Sequence, residues 1–180
     1  MQWKEITKRT VYENPWIEVS ESEVLNPNGK KDVYGKVHYK KETVGIIPVT
    51  RENKTILIGQ HRFPTQSYSW EIPMGGVEPE EESLIAAKRE LKEETGIVAD
   101  EWVELLNLET SNGVTDERVK VYYCNVVRFE ENKPDDTENL KMQLLDFDEV
   151  FKMVMNGEIV DAISVAAILK MKILFEDIRR

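Results

Sequence analysis

The chain has a single cysteine, Cys124, and only two histidines, His38 and His61. One cysteine precludes an intrachain disulfide and fits a reducing compartment, so a cytoplasmic location is expected. Cys124 lies in the strand-like run VKVYYCNVV, a place for a packed thiol more than for a nucleophile. Neither histidine has a partner at metal-ligand spacing, and both read as structural. No apolar run approaches the length that crosses a bilayer, and the opening MQWKEITKRT lacks the hydrophobic segment of a signal peptide. Positive charge is also short: 24 Lys and Arg face 34 Asp and Glu, a net charge of −10. That balance argues against a broad nucleic-acid or anionic-membrane surface. A small phosphate-bearing ligand is still allowed, because divalent cations and a few arginines can offset charge locally.

What is present suits one soluble domain with a small appendage: 180 residues, 41% of them hydrophobic, with no internal repeat or low-complexity tract. Residues 1–40 alternate polar and apolar in TVYENPWIEVSESEVL and DVYGKVHYK, around Asn26-Pro27-Asn28-Gly29. This predicts a hairpin, two strands about one turn, whose Trp3, Tyr12 and Trp16 must pack on their own domain or on a second subunit. From about residue 41 the character changes. ETVGIIPVT and KTILIGQHRF read as apolar strands, SYSWEIP leads into a glycine pair, and EWVELLNLE, RVKVYYCNVVRFE and LKMQLLD follow as further strands. DEVFKMVMNG predicts a helix starting near Asp146 or Asp148 and ending before Gly157, and Asp161 is placed to cap a longer one, AISVAAILKMKILFED.

The most informative stretch is Gly75 to Ile97, GGVEPEEESLIAAKRELKEETGI. On a helix Glu90 and Glu94 are four residues apart and project side by side. Two like charges there weaken an isolated helix, and a cation between them reverses that sign. An oxygen-only ligand set suits hard ions, Mg²⁺ or Mn²⁺, more than zinc. Ser83, Ala86 and Ala87 fall near the same edge, and their small size is expected to leave space above the carboxylates. Leu84 and Leu91 mark the edge that packs. Arg89 is four residues before Glu93 and can pair with it, and Gly96 is the expected C-terminal cap.

The full spacing is Gly75, five residues, Glu81, seven residues, Arg89-Glu90-Leu91, one residue, Glu93-Glu94, one residue, Gly96-Ile97. It resembles the Nudix box with every defining position filled. The resemblance implies an α/β fold, the Nudix α/β/α sandwich with a mixed sheet over residues 41–180. It also implies a small N-terminal antiparallel strand extension over residues 1–40, exchanged between the subunits of a homodimer. It extends through GQHRFPTQSYSWEIPMGGVE, WVELLNLETSNGVTDE and MNGEIVDAISVAAILKM, and is nearest to the ADP-ribose pyrophosphatases and related nucleoside-diphosphate-sugar hydrolases.

By that resemblance Glu90, Glu94 and the backbone carbonyl of Met74 are the metal ligands, for Mg²⁺ with Mn²⁺ as the alternative. Glu93 binds metal or orients the others, while Gly75, Arg89 and Gly96 are structural. Arg62 is a candidate for binding the pyrophosphate, and Tyr12 and Trp16 for stacking on the base. The general base comes from the acidic loop PDDTENL, as Asp136 with Glu138 assisting the metal, or with those roles exchanged, or else from a box glutamate. The implied reaction is hydrolysis of a nucleoside diphosphate sugar, of ADP-ribose or GDP-mannose type, to a nucleoside monophosphate and a sugar phosphate. Where ADP-ribose pyrophosphatases commonly carry Ser-Pro-Gly, this chain has Ser111-Asn112-Gly113, which leaves the sugar and base open. Two alternatives stand beside this: a pyrophosphatase of nucleoside triphosphates or dinucleoside polyphosphates, and a non-catalytic Nudix module that binds nucleotide sugars.

Overall fold

A computed structural model describes residues 2–131 and 140–178. The chain divides into two compact units, one made of the chain up to Glu42 together with Glu109–Arg118, the other of Thr43–Leu108 and the chain from Val119 onward.

The first unit is a three-stranded antiparallel sheet in the order β1 (Lys4–Glu13), β2 (Ile17–Leu25), β3 (Lys31–Tyr39). The hairpin expected around Asn26–Gly29 is there, with Gly29 in the left-handed region at φ 78°. A second turn was not foreseen in TVYENPWIEV. Asn14 makes it: its side-chain oxygen accepts from the backbone N–H of Trp16 and of Ile17, both at 2.8 Å, and so splits one long run into two strands. The segment 109–118 is tied to β3. Val37 donates to the Val114 carbonyl at 2.9 Å, and the Tyr34 hydroxyl donates to the Gly113 carbonyl at 2.6 Å. Trp3 meets Tyr34 edge to face at 5.2 Å.

The second unit holds a mixed seven-stranded sheet. Its main path runs β10 (Lys141–Asp146), β5 (Lys54–Arg62), β4 (Thr43–Val49), β9 (Arg118–Phe129), β8 (Ile97–Glu109), with β6 (Ser67–Glu71) paired to β5 and β7 (Met74–Gly76) to β4. The pair β4/β9 is parallel, while β4 and β5, β5 and β6, and β5 and β10 are antiparallel. Among the described residues, three helices complete the fold: α1 (Ser83–Thr95), α2 (Phe147–Met155) and α3 (Ala162–Ile178).

The period-two alternation of the central strands divides the core in two. Val44 and Ile46, Ile56 and Ile58, and Tyr122 and Cys124 pack with Ala86, Ala87 and Leu91 of α1. On the opposite face Leu57, Val119 and Val121 pack with Phe147 and Val150 of α2 and with Ile163, Ala167 and Ile168 of α3. The sheet is therefore sandwiched between helices, as expected. The small residues of α1 have another use than the sequence suggested. Ala86 and Ala87 are fully buried against the sheet, so they bring the helix close to it and do not leave open space over the carboxylates. Among the described residues, no helix is long and apolar enough to cross a membrane.

Candidate active site

The site is assembled on the second unit from the segment Glu71–Gly76 and the helix α1 that follows it. β4 takes β7 as an antiparallel neighbour, pairing Val44 with Gly75 and Gly45 with Met74. This fixes a short glycine-bearing strand at the level of the helix. α1 then starts at Ser83 and stops at Gly96, whose φ of 70° only glycine adopts readily and whose N–H caps the Lys92 carbonyl.

Glu94 is 4% exposed, and one of its carboxylate oxygens accepts from the Met74 backbone N–H at 3.2 Å. One turn earlier, Glu90 lies against Gly75 so closely that a Cβ there would be 2.1 Å from the Glu90 carboxyl carbon. Glu90 and Glu94 thus both face the β7 backbone. Arg89 gathers the rest: it donates to Glu81 at 2.9 and 3.1 Å, to Glu90 at 2.7 Å, to Glu93 at 3.1 Å and to the Gly76 carbonyl at 2.9 Å. Glu81 most of all, then Glu90 and Glu93, holds its guanidinium charge even more firmly than usual, against a partial burial that opposes it. One planar fork therefore joins the loop, the strand and the helix face. The Glu93 carboxylate is about half exposed.

Arg62, at the end of β5, is held by Glu71 through two hydrogen bonds, one at 3.0 Å from Nε to Oε1 and a second from the terminal nitrogen to Oε2. Glu71 is 3% exposed. Hydrogen bonding to Glu71 raises the Arg62 pKa above its ordinary value despite desolvation, and the charges of Asp161 and Glu94 add to the effect. Arg62 thus stands among carboxylates with part of its guanidinium exposed, which leaves it able to meet an anion.

Of the residues named from sequence, Arg62, Met74, Gly75, Arg89, Glu90, Glu93, Glu94 and Gly96 are all in the second unit. Tyr12 and Trp16 belong to the first, where they are 55% and 70% exposed. Asp136 and Glu138 lie outside the described residues. Sequence reasoning did not single out Glu71 or Ser164. The signal for Glu71 was a carboxylate in the otherwise apolar WEIP, directly before the glycines. For Ser164 it was a hydroxyl inside AISVAAIL. Cys124 is fully buried, and burial pushes its thiol pKa well up, so it is packing and not a nucleophile.

Among the described residues, no three His, Cys, Asp or Glu side chains cluster closely enough to hold a metal on their own. The donor set at the glutamate helix nevertheless fits a hard divalent cation. Glu90 and Glu94 offer only oxygens, share one helix edge and reach the same strand, and the notch at Gly75 gives the Glu90 carboxylate its room. A cavity of about 500 Å³ lies elsewhere, within the first unit, and includes Lys8 and Lys36 in its lining. Both lysines are already paired, with Glu18 at 2.9 Å and Asp116 at 2.6 Å.

Comparison with known proteins accounts for both units. Residues 39–164 match the family model described as NUDIX domain, and residues 3–37 match the one described as nucleoside diphosphate sugar hydrolase N-terminal domain. An ADP-ribose pyrophosphatase of Bacillus subtilis (strain 168) is 31% identical over 170 residues, covering 93% of this chain and 91% of that protein. A methanol dehydrogenase activator of Bacillus methanolicus is 29% identical over 167 residues, covering 92% and 90%. The crystal structure of an ADP compounds hydrolase superposes with a TM-score of 0.89 at 22% identity, over 98% of this chain and 96% of that one, which establishes the shared fold. The chain belongs to the Nudix family and is a pyrophosphohydrolase.

Proposed function

We propose that this Nudix hydrolase cleaves the diphosphate link of nucleoside diphosphate sugars, of ADP-ribose or GDP-mannose type, to a nucleoside monophosphate and a sugar phosphate. The observation that carries the reading is the pair Glu90 and Glu94 held against the β7 backbone, one in the notch of Gly75 and the other on the Met74 N–H. The match of residues 3–37 to a nucleoside diphosphate sugar hydrolase N-terminal domain, and the relative named ADP-ribose pyrophosphatase, support the substrate class.

In this reading Glu90, Glu94 and the Met74 carbonyl hold Mg²⁺ or Mn²⁺. Such an ion, when bound, supplies positive charge to a diphosphate and makes water more acidic. Arg89 keeps the glutamate row in register through Glu81 and Gly76, and Glu93 helps to orient it. Arg62, fixed by Glu71, turns its exposed side to the diphosphate and binds it. A carboxylate accepts the proton of the attacking water: Asp136, with Glu138 beside it, or those two exchanged, or a box glutamate. Tyr12 and Trp16 stack on the base. We assign residues 1–40 to a strand extension exchanged between the subunits of a homodimer and residues 41–180 to the hydrolase domain, acting in the cytoplasm. The exposed apolar side chains of the first unit, Trp3, Ile6, Val11, Trp16 and Val33, support a partner for that sheet.

The test is a panel of ADP-ribose, GDP-mannose, UDP-sugars, NADH, diadenosine polyphosphates and nucleoside triphosphates with Mg²⁺, read by product. Nucleoside monophosphate plus sugar phosphate supports the reading. Turnover only of triphosphates or dinucleoside polyphosphates, or tight ADP-ribose binding without turnover, overturns it.

A further inference from the structure

The strand ladders leave a gap at Ile72 and Pro73, between the end of β6 at Glu71 and the start of β7 at Met74. Pro73 has no N–H, and its carbonyl accepts from Ile46 at 2.9 Å. The amide of Ile72 is thus the one N–H in the gap, on a residue only 2% exposed, and a buried amide must find a partner. It donates to the hydroxyl of Ser164, in the first turn of α3, at 3.0 Å. Ser164 is fully buried. Its hydroxyl can face the amide with a lone pair because its own proton goes elsewhere, to a carboxylate oxygen of Asp161 at 2.7 Å. The same oxygen accepts the Ser164 backbone N–H at 2.8 Å, so Asp161 both caps α3 and sets the rotor. Packing acts in the same direction. A Cβ on Gly45 would be 3.1 Å from Ile72 Cδ1 and 3.5 Å from Ile163 Cγ2, so the absent side chain lets both isoleucines close over β4.

Two residues beyond Ile72, the Met74 N–H meets Glu94, and at the next residue Glu90 fits against Gly75. The segment is therefore gripped from α1 on one side and from α3 on the other. We propose that Ser164, oriented by Asp161, is a positioning residue of the glutamate site. It fixes Ile72–Gly75 in the one register that lets Glu94 and Glu90 engage the strand. This rests on the function proposed above, and it deepens that reading by adding a residue that touches neither substrate nor ion.

The experiment compares Ser164→Ala and Ser164→Thr with the wild type in three measurements. They are Mn²⁺ binding followed by electron paramagnetic resonance without substrate, kcat and KM for the preferred nucleotide sugar, and amide hydrogen exchange at Ile72 and Met74. Ser164→Ala is expected to weaken Mn²⁺ binding and lower kcat by about ten- to a hundredfold. KM should hold, exchange should speed up at both amides, and Ser164→Thr should restore all of these. Ser164→Cys keeps the side-chain size with a poorer acceptor, and it carries the same expectation if Ser164→Ala does not fold. Wild-type Mn²⁺ affinity and wild-type kcat in folded Ser164→Ala overturn the proposal. A wild-type protein that leaves every nucleotide sugar intact overturns the substrate reading alone, since the Mn²⁺ titration needs no substrate.

Discussion

Gly75 and Glu90 occupy complementary space: the hydrogen where glycine lacks a side chain faces the carboxylate, and a methyl group there would be 2.1 Å from its carbon. Gly75 is not among the glycines with positive φ, so its backbone suits any residue. Room is what the position demands. Gly75→Ala should therefore move the flexible end of Glu90 without unfolding the domain. The expected result is a fall in kcat of about a hundredfold or more, since small misplacements cost that much. Stability should change by no more than about 1 kcal/mol. Steady-state kinetics beside a urea melt checks it, and a variant with full activity would mean Glu90 is free to work from elsewhere.

Glu94→Gln keeps the shape of a side chain that is almost completely buried and leaves an acceptor for the Met74 N–H. The fold should survive, while turnover in saturating Mg²⁺ should be abolished. Circular dichroism and a product assay on the same sample decide between a lost ligand and a lost fold.

Arg89 joins Glu81, Glu90, Glu93 and the Gly76 carbonyl with one planar fork. A lysine has three donors on a point charge and cannot span those partners. Arg89→Lys should lose activity and some stability. Arg89→Ala, which leaves partly buried carboxylates without their cation, should cost about 3 kcal/mol. Denaturant midpoints at constant slope would measure it.

Acid should loosen the N-terminal sheet through Asp116. Burial favours the protonated form of this carboxyl, yet hydrogen bonds from Lys36, His38 and the Tyr39 N–H outweigh it and hold the pKa at about 2, below the ordinary 3.8. Since the folded value is the lower one, the stabilisation is complete above pH 4 and is lost as pH falls from about 4 through about 2. Solvent screening at a carboxylate one-third exposed reduces it to the order of 1 kcal/mol. The melting temperature of Asp116→Asn should fall less than that of the wild type between pH 4 and pH 2.

Cys124 is fully buried, with its thiol pKa pushed up. A thiol reagent at neutral pH should label the native protein only at the rate of global opening, and label it at once in denaturant. Fast native labelling would show that the sheet opens locally at β9.

Much of this architecture was legible because its signals are local. The apolar runs VGIIPV and TILIGQ read as strands, Gly96 and Gly157 marked helix ends, and the i, i+4 spacing put Glu90 and Glu94 on one edge. What the sequence hid depends on pairing between distant segments. The burial of Ala86 and Ala87 depends on which helix face meets the sheet. The clasp of Glu71 on Arg62 needs β5 and β6 folded back on each other, and Ser164 meets Ile72 across 92 positions of chain. The turn at Asn14 was local but was missed, because a tyrosine and a tryptophan on either side read as continuous strand.

Because the segment 109–118 is part of the first compact unit, the chain passes between the two units three times, after Glu42, after Leu108 and after Arg118. The N-terminal sheet is therefore no detachable prefix. Trimming the gene at residue 42 would strip Gly113, Val114 and Asp116 of Tyr34, Val37 and His38 and strand a frayed loop between β8 and β9. Shortened versions of this enzyme should be made by closing that loop as well, and recombination with a relative should swap both stretches together.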